Sequence, residues 1–387
     1  MTLGDVTRGI LSTVTDTTNI KIGISEAIEF LSPFDVPLLD MVGRSSLKKA
    51  CTQVKHEWLQ DELMPSQGTL AAAYVAGSGT ITLTSGEGEY LVPGDNVMVD
   101  DIIFKVLTGA PDADVIGVEV LGGTDAAIAN GSTWRGISHA AQEAGSARND
   151  GVKVHLGRPY NYTQIIKDWI IVSGTMEVIS RYGYSKERAY QEAKKLKEMA
   201  IKLEKTLLYG ARSYSAGPPR ESTMGGLFQY VYLEGKAASR NNVVDLATAE
   251  LTELVFENAM QTIWENGGRP DFVLVGGANK QQFTKWASPR IRTAQGERKA
   301  GASVAVYGGD FGDVDILLNR WLRPSDIIIG TRGQLGIGPL TGRAFSSRML
   351  PTTIDGNWWE ILGEYTMEVG RPSIDWYWFY NSSTSVT

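Results

Sequence analysis

The sequence predicts an α+β protein with a small all-β module inserted into it. Three observations carry that expectation. One long amphipathic helix pattern, SKERAYQEAKKLKEMAIKLEKTLL, runs over 185–208. A group of short β-prone runs, broken by Gly, Pro and Asp, lies between about 65 and 157. From Val243 onward, strand and helix patterns alternate as in a compact α/β layer.

Composition narrows the class of protein. The chain has 387 residues, 42% hydrophobic and 21% charged, enough for two or three domains with a sizeable core. A net charge of −7 argues against a protein that reads bases through a broad basic surface. Cys51 is the only cysteine, so no intramolecular disulfide framework exists. The first residues, MTLGDVTRGILSTVTDTTN, lack a basic stretch followed by a long apolar core, and no apolar run reaches a membrane span. A soluble protein made in a cytoplasm is expected.

Taken in order, residues 1–30 are rich in Thr, Ser and Ile and read as an extended arm. SPFDVPLLDMVG follows, with an apolar Leu38, Leu39, Met41 and Val42 cluster, and reads either as a short helical turn that docks the arm or as a plain surface turn with a buried Leu pair. VKHEWLQDEL, over 54–63, is a strand leaving the body, and its expected partner is PYNYTQIIKDWII, over 159–171. The β-prone runs GTITLTS, GEYLVPGDNVMVDD, IIFKVLTG and DVIGVEVLGG lie between them, as an insert at a hairpin tip.

In the 185–208 helix, Ala189, Ala193, Leu196, Ala200, Leu203 and Leu207 fall on one stripe. Ser185 is the expected N-cap and Gly210 the expected terminator. Seven basic and four acidic side chains leave this helix at +3 within an acidic chain. That basic side is either a solvated face with pairs such as Glu198–Lys202 or a face turned to something anionic.

Beyond it, LFQYVYL reads as a β run. DLATAELTELVFENAMQTIWENGG reads as a helix with Leu251, Leu254, Val255, Ala259 and Ile263 inward. RPDFVLVGG is a buried strand and ANKQQFTKWAS a second helix. SPRIRTAQGERKAG, over 288–301, reads as a mobile loop. SVAVYGG, DVDILLNRWL, DIIIGTRG, NWWEILGEYTMEV and SIDWYWFY read as strands, the last with Ile374, Trp376, Trp378 and Tyr380 on one face.

No catalytic constellation emerges. His56-Glu57 begins like a zinc-peptidase signature, but position 60 is Gln. His139 and His155 lack neighbours at metal-ligand spacing. Asp310, Asp313 and Asp315 lack the frame and terminal Glu of a calcium loop. Cys51 has no evident partner base, and neither a nucleophile elbow nor a phosphate-cradling loop is present. No enzyme activity and no cofactor are expected. Projecting arms and hairpins that bury little of themselves point to self-assembly.

The order of parts then becomes informative. HEWLQDEL (56–63), YNYTQIIKDWIIVSGT (160–175), the helix with its YGYSKERAYQEA start, STMGGLFQYV (222–231), DFVLVGG (271–277), YGGDFGDVDILLNRWL (307–322) and GEYTMEV (363–369) follow one another. This ordered set resembles the major capsid proteins of tailed bacteriophages, with the Hong Kong 97-type fold and a β insert in the extended loop.

The resemblance implies an N-terminal arm over 1–50 and an extended loop over 51–165, carrying the β insertion at about 65–157. It implies a peripheral domain from 166–242 and 340–387, with 185–208 as spine helix, and an axial domain over 243–339. It further implies a virion protein forming hexamers and pentamers of an icosahedral shell around double-stranded DNA. A portal, and scaffolding or decoration proteins, would be partners; a membrane would not. On this view Trp58 and Leu59 pack at the hairpin base, and with Leu38 and Leu39 reach neighbouring subunits. Lys194, Lys197 and Lys205 face the lumen and its DNA. An encapsulin-like compartment is the alternative, and a β-rich tail or spike protein a further one that the long helix disfavours.

Overall fold

A computed structural model describes residues 34–42, 50–61, 66–108, 114–139, 156–179, 186–236, 242–286, 306–351 and 355–383. The arm over 1–30, the Ser185 cap and the loop over 288–301 lie outside them.

The first described element is the short helix α1 (Pro37–Val42). Strand β1 (Lys55–Glu57) then leads outward to the insert, made of β2 (Gln67–Thr69), β3 (Thr80–Thr82), β4 (Asp95–Val99), β5 (Ile102–Thr108), β6 (Val115–Gly122) and β7 (Thr133–His139). The chain returns through β8 (Tyr160–Tyr162) into β9 (Gln164–Val172), α2 (Gly174–Val178) and the long helix α3 (Glu187–Tyr209). A small hairpin, β10 (Ser213–Ser215) and β11 (Glu221–Thr223), and a π-helical segment, Phe228–Glu234, follow. Next come β12 (Val243–Asp245), α4 (Glu253–Glu265), β13 (Phe272–Val275), α5 (Gly277–Lys285), β14 (Val306–Gly309), β15 (Gly312–Leu318) and β16 (Ile327–Gly330). The chain closes with β17 (Leu335–Pro339), β18 (Ser346–Leu350), the long β19 (Asn357–Val369) and β20 (Tyr377–Tyr380).

Three cores organise these elements. In the six-stranded mixed sheet, ordered β12-β20-β16-β13-β15-β14, alternate residues of each central strand enter different cores. Phe272, Leu274, Ile328 and Trp378 join α1, α3 and β19 on one side. Val273, Val275, Ile327, Ile329, Tyr377 and Phe379 pack with α4 on the other. That is why FVLV and IIIG are apolar without alternation: both faces are covered. The same holds for SIDWYWFY, where Tyr377 and Phe379 are buried as well as Trp376 and Trp378.

The insert has its own core of residues such as Phe104, Trp134 and Val97, between strands ordered β2-β7-β4-β5-β6-β3. No residue of that core belongs to the other two. Its stem is the pair β1–β8, with Lys55 opposite Tyr162 and Glu57 opposite Tyr160, continued by a bridge from Gln60 to Gly157. The expected hairpin is thus real but short. From Gln164 on, β9 instead lies antiparallel to β19, Gln164 opposite Tyr365 and Val172 opposite Asn357. There it buries Ile166, Ile170 and Val172.

Helix α3 spans nearly the expected range but buries only the C-terminal part of the expected stripe, Leu203 and Leu207. Met199, Leu203, Leu207 and Leu208 are buried, whereas Ala189, Ala193 and Leu196 are exposed. Only the C-terminal half of the helix has elements packed over that side. Gly210 ends it in an extended conformation, not a left-handed one, with its N–H still bonded to Thr206 O. Its glycine character serves a close crossing: Gly226 N–H donates to Gly210 O at 2.8 Å. A Cβ at Gly226 would sit 2.4 Å from Thr206 O.

The LFQYVYL run is helical, not β. In the helix Leu227, Tyr230 and Val231 turn inward together, at steps of three and one, and Phe228 stacks on Tyr232 at 4.7 Å. The helix at α4 also starts later than its sequence pattern. Thr252 caps it through Val255 N–H, and Leu254 is exposed while Phe256 and Met260 take the buried face.

Candidate assembly surfaces

At the root of the stem, His56 Nε2 lies 2.5 Å from Glu368 Oε1, and both side chains are buried. Hydrogen bonds with Cys51 and with Glu368 push the His56 pKa up to about 9, against the opposing effect of burial. The imidazole is therefore a buried imidazolium at neutral pH. His56 lies beside Cys51, but as an imidazolium it is no base for the thiol. The thiol is shut from solvent and donates to Gln53 O at 3.1 Å. Thr341 N–H and Oγ1 both donate to Cys51 O, at 2.9 and 2.7 Å. The group is a clamp between the stem and β19.

Asn161 completes this root. Its Nδ2 donates to Gly225 O at 3.1 Å and Met367 O at 2.8 Å, and its Oδ1 accepts from Gly225 N–H at 2.8 Å. A buried amide with its hydrogen bonds filled fixes three separate segments in one register.

Trp58 packs beside Asn161's strand, 5.9 Å from the Tyr230 ring. It is 5% exposed, so it is spent on its own chain and offers no surface to a neighbour. Leu38 is likewise fully buried in its own chain, and Leu39 is partly buried against the same core. Trp58 and Leu38, expected to reach neighbouring subunits, thus leave little surface for one, while Leu39 stays half-exposed. Leu59, at 63% exposed, is the one of the four that faces outward.

Helix α1 is held by Glu204, whose carboxylate accepts from Leu38 N–H at 3.0 Å, Leu39 N–H at 2.7 Å and Asn319 Nδ2 at 2.6 Å. Burial raises the pKa of this carboxyl despite those three donors. In the sequence Glu204 looks like one more charge on a solvated helix face. Nothing local shows that its partners lie 115 and 166 residues away.

The basic side of α3 divides in two. Lys195 and Lys202 both reach Asp168 Oδ2, at 3.3 and 3.1 Å, so two of its charges are met by one carboxylate on β9. Burial works against that carboxylate, but Lys202, the Trp169 N–H and Lys195 hold it below the usual range. Lys194 and Lys205 are exposed and Lys197 is half-buried. Lys205 Nζ lies 4.3 Å from the Trp321 ring and Lys197 Nζ 5.7 Å from the Phe34 ring.

Among the described residues, no three His, Cys, Asp or Glu side chains converge to hold a metal ion. Among them also, no helix is long and apolar enough to cross a membrane.

A long helix across a strand-rich layer, a second mixed sheet and an outreaching β-stem make up the Hong Kong 97-type architecture of capsid shell subunits. The capsid of a native GTA particle aligns over 97% of this chain and 100% of its own, with TM-score 0.55 and 9% identity. The capsid subunit of cyanophage A-1(L) aligns over 97% and 100%, at 0.51 and 11%. A structure from Microbacterium phage Oxtober96 aligns over 95% and 98%, at 0.50 and 10%. The chain belongs to the SU10 major capsid protein family, whose family model matches residues 11–373. It is thus a shell-forming major capsid protein of the tailed-phage type. No curated protein matches it.

Proposed function

We propose that the chain builds an icosahedral head shell from hexamers and pentamers and that this shell encloses packaged double-stranded DNA. The observation that carries this reading is the stem: a short two-stranded pair holds a separately cored β module outside the two cores of the body. Such a part gains its use only against other copies. In this reading residues 1–50 are the arm and 51–165 the extended loop, with the insertion at about 65–157 outermost. Residues 166–242 and 340–387 form the peripheral domain and 243–339 the axial domain. The chain acts by assembly and not by turnover. Leu59 contacts a neighbour, and a portal, with scaffolding or decoration proteins, completes the particle.

Lys194, Lys197 and Lys205 face the lumen, where they meet phosphates without reading sequence. Negative-stain microscopy of the expressed protein tests the shell: closed shells or capsomers are expected, and a stable small oligomer of fixed size would overturn it. The triple variant Lys194→Glu, Lys197→Glu, Lys205→Glu is expected to form shells that hold less DNA after packaging. Unchanged DNA content per particle would remove these lysines from the lumen.

A further inference from the structure

The insert carries the net charge of the chain. Residues 66–139 hold nine acidic and two basic side chains, a net of −7. That equals the charge of all 387 residues, so the remainder sums to zero. The acids of the insert are held by neutral donors. Glu87 accepts from Thr69 N–H and Trp134 Nε1, both at 2.8 Å. Asp114 accepts from Gly86 N–H at 2.8 Å, and Asp125 from Tyr74 Oη and Gly77 N–H, both at 2.9 Å. Such bonds pin turns and leave the negative charge in place. Among the described residues, the one ionisable partner of an acid in the insert is His139, 2.8 Å from Asp95. Glu89, Asp101 and Glu119 are exposed.

The described strands of the insert also leave no open edge. Its outer strands β2 and β3 meet through the Leu70–Leu83 bridge, with Ala71 N–H donating to Thr82 O and Thr84 N–H to Thr69 O, both at 3.0 Å. The six strands thus close into a barrel, which gives an added strand nothing to pair with. A closed barrel with uncompensated negative charge is fitted to repel polyanions and not to grip a neighbour.

We propose that residues 66–139, repeated over the shell, form an acidic coat that excludes double-stranded DNA from the outer surface. DNA then meets the chain only at the lysines of α3. The inference rests on the reading that the chain forms shells with the insertion outermost. The repulsion is electrostatic, so it reaches about 30 Å at 0.01 M salt and only about 3 Å at 1 M.

DNA adsorption tests it. Purified shells are mixed with linear double-stranded DNA at 0.01 M or 1 M salt and sedimented, and nuclease-sensitive DNA in the pellet is counted as outside. The variant Glu89→Lys, Asp101→Lys, Glu119→Gln takes the insert from −7 to −2. The variant Glu221→Lys, Asp313→Lys, Glu265→Gln makes the same change at exposed positions of the body. The parent and the body variant are expected to leave DNA in the supernatant. The insert variant is expected to carry down at least about fivefold more DNA at 0.01 M salt and no excess at 1 M. The near-isosteric set Glu89→Gln, Asp101→Asn, Glu119→Gln asks the same with less disturbance and should give a smaller rise.

Unchanged adsorption on both insert variants, equal adsorption on the body variant, or adsorption that persists at 1 M salt overturns the coat and leaves the shell standing. Parent chains that form no shells overturn both.

Discussion

His56 sits where the stem leaves the body, and its imidazolium is held by Cys51 from the segment before and Glu368 from β19. The pKa in the folded chain is about 9, above the usual value of 6.5. Folding therefore favours the protonated form. The stabilisation is complete below about pH 6.5 and fades as pH rises through about 9. Urea midpoints of the subunit at pH 6, 8 and 10 are expected to fall by an amount worth about 3 kcal/mol more in the parent than in His56→Gln. Parallel pH profiles in the two proteins would show that the clamp does not titrate. The sequence displays His56 plainly, but as the start of a broken zinc signature. Its carboxylate partner lies 312 residues away, so the role could not be read locally.

At the scale of elements, much was legible where period and burial agree. The long helix, the 13-residue β19 and the buried strands β13 and β16 all stand where their patterns place them. Patterns failed where the chain's neighbours decide. A stripe of six apolar positions marks α3, but only its C-terminal half lies under α1 and the sheets. The Phe228–Glu234 run has β-prone residues, yet stacking of Phe228 on Tyr232 and packing on Trp378 make it helical.

The two halves of α3 should thus respond differently to the same truncation. Leu203→Ala opens a cavity in the main core and should cost about 3 kcal/mol in the unassembled subunit. Leu196→Ala, at a 41% exposed position, should cost less than about 1 kcal/mol there. Denaturant unfolding of both variants decides this, and equal losses would mean that the N-terminal half is covered by its own chain.

For the molecule as a whole, the sequence revealed that something β-rich interrupts a hairpin, because Gly, Pro and Asp break the runs at short intervals. It did not reveal how little of that hairpin is paired, since Gln164–Val172 looks equally ready to pair with either neighbour. The separation of cores makes a physical prediction about the whole. The insert buries Phe104, Trp134 and Val97 among themselves and shares no core residue with the body. Its only described strand pairing with the body side is the stem, which ends at the Gln60–Gly157 bridge.

Replacing residues 61–156 with a short Gly-Ser turn keeps that bridge and asks the stem to close as an ordinary hairpin. Because unfolding units follow cores, calorimetry of unassembled subunits should lose one transition. The remaining transition should keep its midpoint within about 4 °C, the shift expected for a loss of 1 kcal/mol or less. If the body instead lost its cooperative transition, the insert would be an integral part of the fold and not a module carried upon it.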